Sequence, residues 1–490
     1  MAGTGAVLTY GELDDRSARL ASALHGLGLR RGDVIAMLTD NTAEAFVIYW
    51  AALRSGLYVT AINRHLAAPE VAYILADSGA GVLFASAGLS QLAQDIAGPV
   101  HRYAFDVQIP GYDSYPDLLA GAGSRLADQP RGSDMLYSSG TTGSPKGIKP
   151  HLLDIQVDEP GDPLTALLAG VFGLGPTDVY LSPAPIYHAA PLKYCAAVQA
   201  LGGTVVLMER FDAEAALGAI ERYRVTITQM VPTMFVRMLQ LADEIRDRYD
   251  HSTLRLAVHA GAPCPPDVKD AMIRWWGPIL VEYYSATEAL GTTIITSAEW
   301  LDKRGSVGRP VLGVVHICDD AGRELPTGEV GTVYFERDVV PFVYHNDPGK
   351  TADSRHPDHE NWSTVGDLGY LDQDGYLFLT DRKSFMIISG GVNIYPQEIE
   401  DALTLHPDVF DVAVIGLPDD EYGESVTAVL KLRDGVVARP DLTDELISYL
   451  RTRIAGYKVP RRFEFVADLP RTPTGKLLKA KLRDQLVHVG

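Results

Sequence analysis

Short apolar runs alternate with helical patterns along the first half of the chain, and this alternation most constrains the fold. Three early apolar runs are bounded by turn residues, as buried strands are: DVIAML, LYVTAI and GVLFAS. Helical patterns lie between them, and a capping-box pair, Thr9 and Glu12, begins an earlier helix. The same rhythm returns between residues 178 and 231. Strands that alternate with helices of this length predict an α/β fold built from βαβ units with parallel sheets.

The pattern changes near residue 305, where strand and turn signals dominate. A hairpin pattern, GYLDQDGYLFLTDRK, follows, and after it comes a compact α+β tail. We predict a domain boundary at about Lys383 and Ser384. The large domain, 1–383, would hold two βα-layered sheets and a β-rich subdomain, and the small α+β domain would span 384–490.

Charge and cysteine content narrow the function classes. Among 490 residues, 63 are acidic and 43 are basic, giving a net charge of −20 at pH 7. Such a surface disfavours non-specific binding to nucleic acid or membranes. The sequence shows no signal-peptide pattern and no apolar run near the ~18 residues of a membrane helix. Cys195, Cys264 and Cys318 are too scattered for a zinc or redox motif, so we expect a reducing, cytoplasmic location.

A loop rich in glycine and hydroxyl residues, YSSGTTGSPKGIK, indicates where phosphate binds. Glycine lets backbone N–H groups approach one anion closely, and Lys146 adds a positive charge. The loop is not a Walker A motif, and the Gly-Lys-Thr at 349–351 has Tyr344 where that motif needs its first glycine. Taken alone, such a cluster is more often an ordinary solvent loop. The candidate phosphate contacts are Ser138, Ser139, Gly140, Thr141, Thr142, Gly143 and Lys146.

Six motifs together resemble the adenylate-forming superfamily of acyl-CoA synthetases, aryl-CoA ligases, luciferases and peptide-synthetase adenylation domains. The loop is followed, in the family's order and approximate spacing, by LSPAPIYHAAPL, HAGAPCP, EYYSATEALG, VGDLGYLDQDGYLFLTDRKSFMIISGGVNIYPQEIE and LPRTPTGKLLK. The resemblance covers nearly the whole chain and is strongest to acyl-CoA synthetases. It implies an enzyme that joins a carboxylic acid to ATP, releasing pyrophosphate, and then transfers the acyl group from acyl-AMP to CoA.

The resemblance also implies nucleotide contacts that would otherwise be read as structural residues. Tyr284 would stack on adenine, Asp367 would accept hydrogen bonds from the ribose, and Glu288 would hold Mg²⁺, a hard cation that prefers oxygen ligands. Alone, Tyr284 would be a core residue and Asp367 a turn residue. The remaining implied contacts are Gly261 and Ala262 on the other face of adenine, Thr287 at the α-phosphate and Arg382 on the nucleotide side.

Lys476 resembles the catalytic lysine of adenylation. A compact ammonium between the substrate carboxylate and the α-phosphate stabilises the charge that develops as they meet. Because Lys476 lies in the small domain, that domain is implied to be mobile, closing for adenylation and rotating about Ser384 before thioester formation. The CoA channel is assigned to Gly390 and Gly391. Lys479 and Lys481, on the same basic stretch, are interpreted as solvated charges.

The acid is the least specified substrate. The predicted pocket is mainly apolar, with no fixed cation for a dicarboxylate and no acid for an amino acid's ammonium group. Ser285 stands where the family commonly has glycine, and residues 150–164 predict an irregular lobe whose role is open. Fatty, aryl and steroid-like acids all remain open. The candidate pocket residues are His188, Val231, Ser285, Ala286 and Leu290.

Two other hypotheses compete with the acyl-CoA synthetase. One keeps the adenylate and changes the acceptor to a carrier protein or an amine, or replaces the carboxylate substrate. The other is an ATP-binding module without catalysis, which the intact Lys476, Glu288, Asp367 and Arg382 disfavour. The sequence does not determine the oligomeric state, and dimers are common in the family it resembles.

Overall fold

The computed structural model describes residues 1–96, 98, 101–138, 145–382, 385–389, 392–404, 406–419, 422–439, 441–471 and 477–487. Its α-helices are α1 (Tyr10–Gly26), α2 (Ala43–Leu53), α3 (Ala68–Ser78), α4 (Ser90–Gln94), α5 (Tyr115–Ala120), α6 (Pro163–Phe172), α7 (Ala189–Ala200), α8 (Ala213–Tyr223), α9 (Pro232–Leu239), α10 (Asp243–Arg246), α11 (Pro266–Trp276), α12 (Ser297–Asp302), α13 (Pro348–Asp353), α14 (Pro396–Thr404), α15 (Leu442–Arg451) and α16 (Lys479–Val487).

The strands are β1 (Val34–Leu38), β2 (Tyr58–Ala61), β3 (Ala80–Ser86), β4 (His101–Phe105), β5 (Asp113–Ser114), β6 (Ser133–Asp134), β7 (Leu136–Ser138), β8 (Lys146–Pro150), β9 (Val179–Ser182), β10 (Thr204–Leu207), β11 (Ile227–Met230), β12 (Leu256–His259), β13 (Leu280–Tyr284), β14 (Thr292–Thr296), β15 (Ser306–Leu312), β16 (Val314–Cys318), β17 (Gly331–Glu336), β18 (Phe342–Tyr344), β19 (Trp362–Ser363), β20 (Asp367–Leu371), β21 (Leu377–Arg382), β22 (Ile387–Ser389), β23 (Val392–Ile394), β24 (Val409–Asp419), β25 (Gly423–Leu432) and β26 (Arg462–Phe465).

The first sheet is parallel throughout, with strand order β5-β4-β3-β1-β2-β6. Helices connect its strands, as the βαβ rhythm predicts. The capping box that begins α1 is present: Glu12 N donates to Thr9 Oγ1 at 3.2 Å, and Thr9 N donates to the Glu12 carboxylate at 2.8 Å. Apolar residues of α1, α2 and α7 share one buried cluster with this sheet, which joins it to the second sheet.

The second sheet changes direction partway across. Its order is β10-β9-β11-β12-β13-β14-β15-β21-β20-β17-β16, with β19 paired to β17. The strands from β10 to β13 are parallel, and every pairing after β13 is antiparallel. The loop at this change, residues 285–291, follows the carboxyl end of β13, and ligands commonly bind at that edge of α/β sheets.

A small antiparallel sheet, in the order β18-β8-β7, joins the two halves of the N-terminal region. Ser138 lies opposite Lys146, so β7 and β8 form the base of the predicted phosphate loop. Tyr344, at the end of β18, lies opposite Ile148 of β8. The pairing therefore brings a distant stretch of chain beside the loop.

The C-terminal sheet has the order β23-β22-β25-β24, and β26 runs parallel to β25. Its core contains Ile399 and Leu403 of α14 with Leu442 and Leu446 of α15, all fully buried. The predicted mixed α/β fold with a small α+β C-terminal unit is confirmed. Lys383 and Ser384, where the domain boundary is predicted, lie outside the described residues. Along the part of the chain described, no helix is both long and apolar enough to cross a membrane.

The interpretation of Lys479 as a solvated charge is wrong. Its residue is only 8% exposed, and its ammonium lies 2.8 Å from Glu400 Oε1. Helix α14 holds Glu400, so the ion pair fastens α16 to α14. Lys481, two residues on, is exposed as expected.

Candidate active site

A cavity of about 1440 Å³ is lined by residues of the first sheet, the small sheet and the second sheet. This volume exceeds the ~300–1,000 Å³ of a typical single-ligand pocket, so it has room for two ligands. Many predicted site residues from separate motifs share its wall: Lys146, His188, Val231, Gly261, Ala262, Ser285, Ala286, Thr287 and Glu288.

One end of the cavity gathers two lysines and a carboxylate. Lys146 begins β8, and its ammonium lies 5.8 Å from the centroid of the Tyr344 ring. The Tyr344 hydroxyl donates to Glu288 Oε1 at 2.8 Å, which holds this carboxylate in place. Lys350, on α13, lines the same cavity. Sequence reasoning considered Lys350 only as part of a failed Walker A match and so missed it.

The electrostatics of this end suit an anion. Burial lowers the pKa of Lys146, and the nearby Lys350 lowers it further, whereas Asp347 and Glu288 raise it. Two ammonium groups that repel each other are stabilised together by a polyanion between them. The side chain of Ser138 and residues Ser139, Gly140, Thr141, Thr142 and Gly143 lie outside what the structure describes.

Tyr284 and Asp367 form a hydrogen-bonded pair beside the cavity. The Tyr284 hydroxyl donates to Asp367 Oδ2 at 2.6 Å, and Asp367 is 7% exposed. Neither residue is on the cavity wall, but their neighbours Ser285 and Gly366 are. Asp367 lies opposite Arg382 in the β20–β21 hairpin. The register therefore places the backbones of the two predicted nucleotide residues side by side, while the Arg382 side chain lies outside the description.

Glycine at position 261 is required by backbone conformation. Its φ is +84°, and a Cβ there would meet only Val231 Cγ1, at 3.6 Å. The left-handed backbone turns the chain after β12, so that Gly261 and Ala262 face the cavity.

Another part of the cavity wall, where the acid pocket is predicted, is built from the starts of α7 and α9 and the loop after β13. His188 is the N-cap residue of α7, and its ring lies 4.3 Å from that of Tyr187. Ser285 Oγ donates to Gly291 O at 2.7 Å, so its hydroxyl is fixed toward the backbone. The assignment of Leu290 to the pocket is corrected: it is 2% exposed, in a hydrophobic cluster with Phe335, and not on the cavity wall.

The segment 150–164 leaves β8 after Pro150 and is irregular until Asp162, whose carboxylate accepts from Thr165 N at 2.8 Å and caps α6. His151, Leu153 and Asp162 line the cavity. This lobe therefore forms part of the cavity wall, a role that the sequence left open.

Charged side chains also line the cavity away from the Lys146 end, contrary to the expected absence of fixed charges. Lys193 Nζ lies 3.1 Å from Asp134 Oδ2, and Arg131 lies 3.3 Å from Asp162. Sequence reasoning missed these residues because Asp134 and Lys193 belong to different elements, β6 and α7, whose contact no local pattern encodes.

A Mg²⁺ ion fits this site only together with a nucleotide. Among the described residues, no group of three or more His, Cys, Asp or Glu side chains could hold a metal. Glu288 offers one oriented carboxylate, and Mg²⁺ is usually held by one or two carboxylates plus substrate phosphates. Lys476, Ser384, Gly390 and Gly391, which carry the other predicted roles, lie outside the described residues.

Comparison with known proteins gives matches along nearly the whole chain. The AMP-binding enzyme family matches residues 1–344, and the AMP-binding enzyme C-terminal domain matches residues 398–476. Long-chain-fatty-acid–CoA ligase FadD13 of Mycobacterium tuberculosis is 33% identical, over 98% of this chain and 93% of that protein. Feruloyl-CoA synthase of Amycolatopsis sp is 36% identical, over 98% of this chain and 94% of that protein. The structure of amide bond synthetase McbA from Marinactinospora thermotolerans is similar, with a TM-score of 0.84 and 29% identity. The match covers 99% of this chain and 96% of that one.

Proposed function

Because the chain belongs to the AMP-binding enzyme family, we propose that it is an AMP-forming acid–thiol ligase, which converts a carboxylic acid to its CoA thioester through an acyl-AMP. The observation that carries this proposal is one cavity whose wall holds two lysines, Lys146 and Lys350, with the carboxylate of Glu288 at one end, and also His188, Val231 and Ser285. The lysine-bearing end suits a nucleoside triphosphate with its metal, and the rest of the cavity suits an organic acid. Two relatives are named as CoA-ester-forming enzymes.

In the first half-reaction, a carboxylate oxygen forms a bond to the α-phosphorus of ATP, and the bond to pyrophosphate breaks. Lys146 and Lys350 neutralise the leaving pyrophosphate, and Lys476 contacts the attacking oxygen and the α-phosphate. Thr287 hydrogen-bonds the α-phosphate. When bound at Glu288, Mg²⁺ supplies charge neutralisation of the phosphates.

In the second half-reaction, the CoA sulfur bonds to the acyl carbon, AMP leaves, and the thiol proton passes to solvent. Tyr284, Asp367 and Arg382 hold the nucleoside through both steps. The tail, 384–490, rotates about Ser384, so that Gly390 and Gly391 replace Lys476 at the site. Separate family models for residues 1–344 and 398–476 support this division of the chain.

The test is a paired assay on the purified chain with ATP, Mg²⁺ and a panel of some dozens of acids. Pyrophosphate release that depends on the acid reports adenylation, and AMP release that depends on CoA reports thioester formation. We expect both with at least one acid, and a Glu288→Gln variant should lose the first. Acid-dependent pyrophosphate release from no member of the panel would contradict the proposal.

An amine acceptor is a second candidate, favoured by the similarity to the amide bond synthetase over 99% of this chain. The adenylation step is the same for both. The discriminating measurement supplies acyl-AMP with either CoA or a panel of amines and compares AMP release. Faster release with an amine than with CoA would replace the thiol by an amine as acceptor.

A further inference from the structure

We infer that the acid substrate carries a hydroxyl group remote from its carboxylate, recognised by Asp134, Lys193 and Gln229 on the cavity wall. The inference rests on the proposed function and names the substrate class of the same site. Three observations carry it: an ion pair that borders the cavity, a balance of charge around that pair, and a buried acceptor without a donor among the described residues.

The ion pair is well placed to meet a ligand. Asp134 ends β6 with 8% of its surface exposed, and its carboxylate lies 3.1 Å from the ammonium of Lys193. Lys193 lies in the second turn of α7, and its side chain is 29% exposed. Both residues line the cavity. An ammonium has three donors, and among the described residues Asp134 is the acceptor that pairs with Lys193, so further N–H groups are available to a ligand.

The surroundings of the pair are electrically balanced. Arg131 pairs with Asp162 at 3.3 Å on the same wall, so two cations face two carboxylates. Tyr49 also lines the wall. Burial raises the pKa of its phenol, and the charges of Asp134 and Asp162 raise it further, so the phenol stays protonated. A second carboxylate or an ammonium on the substrate would meet one partner of its own charge. A neutral group that both donates and accepts meets no such repulsion.

Gln229 supplies an independent sign of a missing donor. It lies in β11, is 1% exposed and lines the cavity. Its Nε2 donates to Met230 O at 3.1 Å, but its Oε1 is buried and accepts no hydrogen bond within the described part of the chain. Ile227, two residues earlier on the same face of the strand, belongs to a buried cluster with Leu192 of α7. Gln229 therefore lies on the same side of β11 as this cluster, to which α7 contributes.

A hydroxyl satisfies these groups together. Its oxygen accepts from Lys193, and its hydrogen is donated to Asp134 or to Gln229 Oε1. An acid of the same shape without the hydroxyl would displace water from these polar groups and leave them without hydrogen bonds. A site that hydrogen-bonds a substrate hydroxyl therefore discriminates strongly against the analogue that lacks it. An aryl acid with a phenol and an aliphatic hydroxy acid present the same chemistry, so the experiment needs both.

The test compares matched pairs of acids by kcat/KM for pyrophosphate release. The aryl arm uses para-hydroxycinnamate against cinnamate, and the aliphatic arm uses ω-hydroxydecanoate against decanoate. We expect the hydroxylated acid to be preferred by about 10- to 100-fold in one arm, and that arm identifies the source of the hydroxyl. If acids are activated but both ratios stay near one, the inference is overturned while the proposed function stands. If no acid is activated, the proposed function itself fails.

Variants separate recognition from a structural role of the ion pair. The double change Lys193→Met with Asp134→Leu avoids leaving a buried charge unpaired. It should bring the preference to within about threefold of unity by lowering kcat/KM for the hydroxylated acid. The matched control is Lys303→Met, which removes an ammonium of similar exposure, 26%, paired with Asp372 at 2.8 Å and with Asp374, and not on the cavity wall. This variant should keep the wild-type preference.

A second variant covers the case in which the double variant does not fold. Gln229→Met removes the unpaired acceptor at nearly constant volume, together with the Nε2 donor to Met230 O, and should lower the preference for the hydroxylated acid. A preference that survives both this change and the double change would show that the groups serve the fold alone, and would overturn the inference.

Discussion

Lys146 and Lys350 approach the same end of the cavity from distant parts of the chain. Lys146 closes the predicted phosphate loop, whereas Lys350 arrives only because β18 pairs with β8. The lowered pKa of Lys146, caused by burial and then by Lys350, shows that the two charges interact. A ligand with several negative charges relieves this repulsion, which makes the pair a site for the β- and γ-phosphates in the proposed reaction.

The first prediction concerns this pair. Lys350→Ala should raise KM for ATP by about 10- to 100-fold, because a hydrogen bond to a charged group contributes about 1.5–3 kcal/mol. Thioester formation from supplied acyl-AMP, which involves no pyrophosphate, should stay near wild type, and Lys146→Ala should behave in the same way. The control is Lys149→Ala on the same strand, whose ammonium lies 4.9 Å from the Tyr58 ring centroid and not on the cavity wall. Equal effects of Lys350→Ala and Lys149→Ala would refute the assignment.

At the scale of elements, the junction between β14 and β15 holds the two halves of the second sheet together. The strands approach so closely at Gly308 that a Cβ there would lie 2.0 Å from Ile294 O, and the glycine has a φ of +97°. The pairing of β15 with β21 shifts register between Ser306 and Gly308, and its pairing with β14 shifts opposite Pro310 and Leu312. Because β14 leads directly from the loop that carries Thr287 and Glu288, the close approach also fixes that loop.

The second prediction is that Gly308→Ala destabilises the large domain by about 3 kcal/mol or more, since it adds a backbone clash to an unfavourable φ. Gly305→Ala is the matched control. Its φ of +85° is equally unfavourable, but a Cβ there meets nothing within 4 Å, so about 1–2 kcal/mol is expected. The measurement is the shift in urea midpoint of the transition that the large domain gives. Equal shifts for the two variants would mean that the strands move apart without cost.

Local signals in the sequence predicted the elements well, and long-range pairings explain what was missed. Helix α2 begins at the Thr42 cap because Thr42 Oγ1 accepts from Ala45 N, a contact within one turn. The β20–β21 hairpin likewise follows from its own turn. In contrast, β18 is a short strand whose partner β8 lies far away in the sequence, so nothing local marks it. The Asp134–Lys193 pair depends on the same kind of distant contact, which is why no fixed charge was expected in the pocket.

At the scale of the whole molecule, α14 connects the C-terminal unit to the rest of the chain. Gln397 N donates to Asp381 Oδ2 at 3.3 Å, linking α14 to β21. One turn later, burial raises the pKa of Asp401 to about 7, assisted by Glu400 and Asp267, while Gln397 and Lys479 act in the opposite direction. Asp267 belongs to α11 of the large unit. The carboxyl of Asp401 is therefore a titrating group at the contact between the two units.

The third prediction follows from this shift. An acid whose pKa is raised in the folded protein binds its proton more tightly there, so its contribution to the stability of α14 is full below about pH 4 and is lost as the pH rises through 7. The contribution of Asp401 to the free energy is at most about 4 kcal/mol, and partial exposure of the carboxyl to solvent reduces it. Asp401→Asn should remove this component, measured as the pH dependence of hydrogen exchange in α14. Asp444→Asn, on the exposed side of α15, is the control. Identical profiles for wild type and Asp401→Asn would exclude Asp401 as the titrating group.

The fourth prediction tests the alternation of the two domains. If Lys476 bridges the carboxylate and the α-phosphate, its ammonium acts only in the closed, adenylating arrangement. Lys476→Ala should then slow adenylation by at least about 10²–10³-fold, the loss found when single charge-stabilising donors are removed. The thioester step uses the rotated arrangement, from which Lys476 is absent, so conversion of synthetic acyl-AMP and CoA to thioester should stay near wild type. Single-turnover assays of the two steps measure both effects.

The choice of control for this experiment depends on the structure. Lys481→Ala is suitable, because Lys481 is exposed on α16 and should leave both steps unchanged. Lys479→Ala is not neutral, since it breaks the ion pair with Glu400 and leaves that carboxylate, 8% exposed, without its cation. It should lower the stability of the C-terminal unit and slow both steps together. A Lys476→Ala variant that slowed both steps equally, as Lys479→Ala is expected to do, would refute the charge-bridging role and with it the rotation between half-reactions.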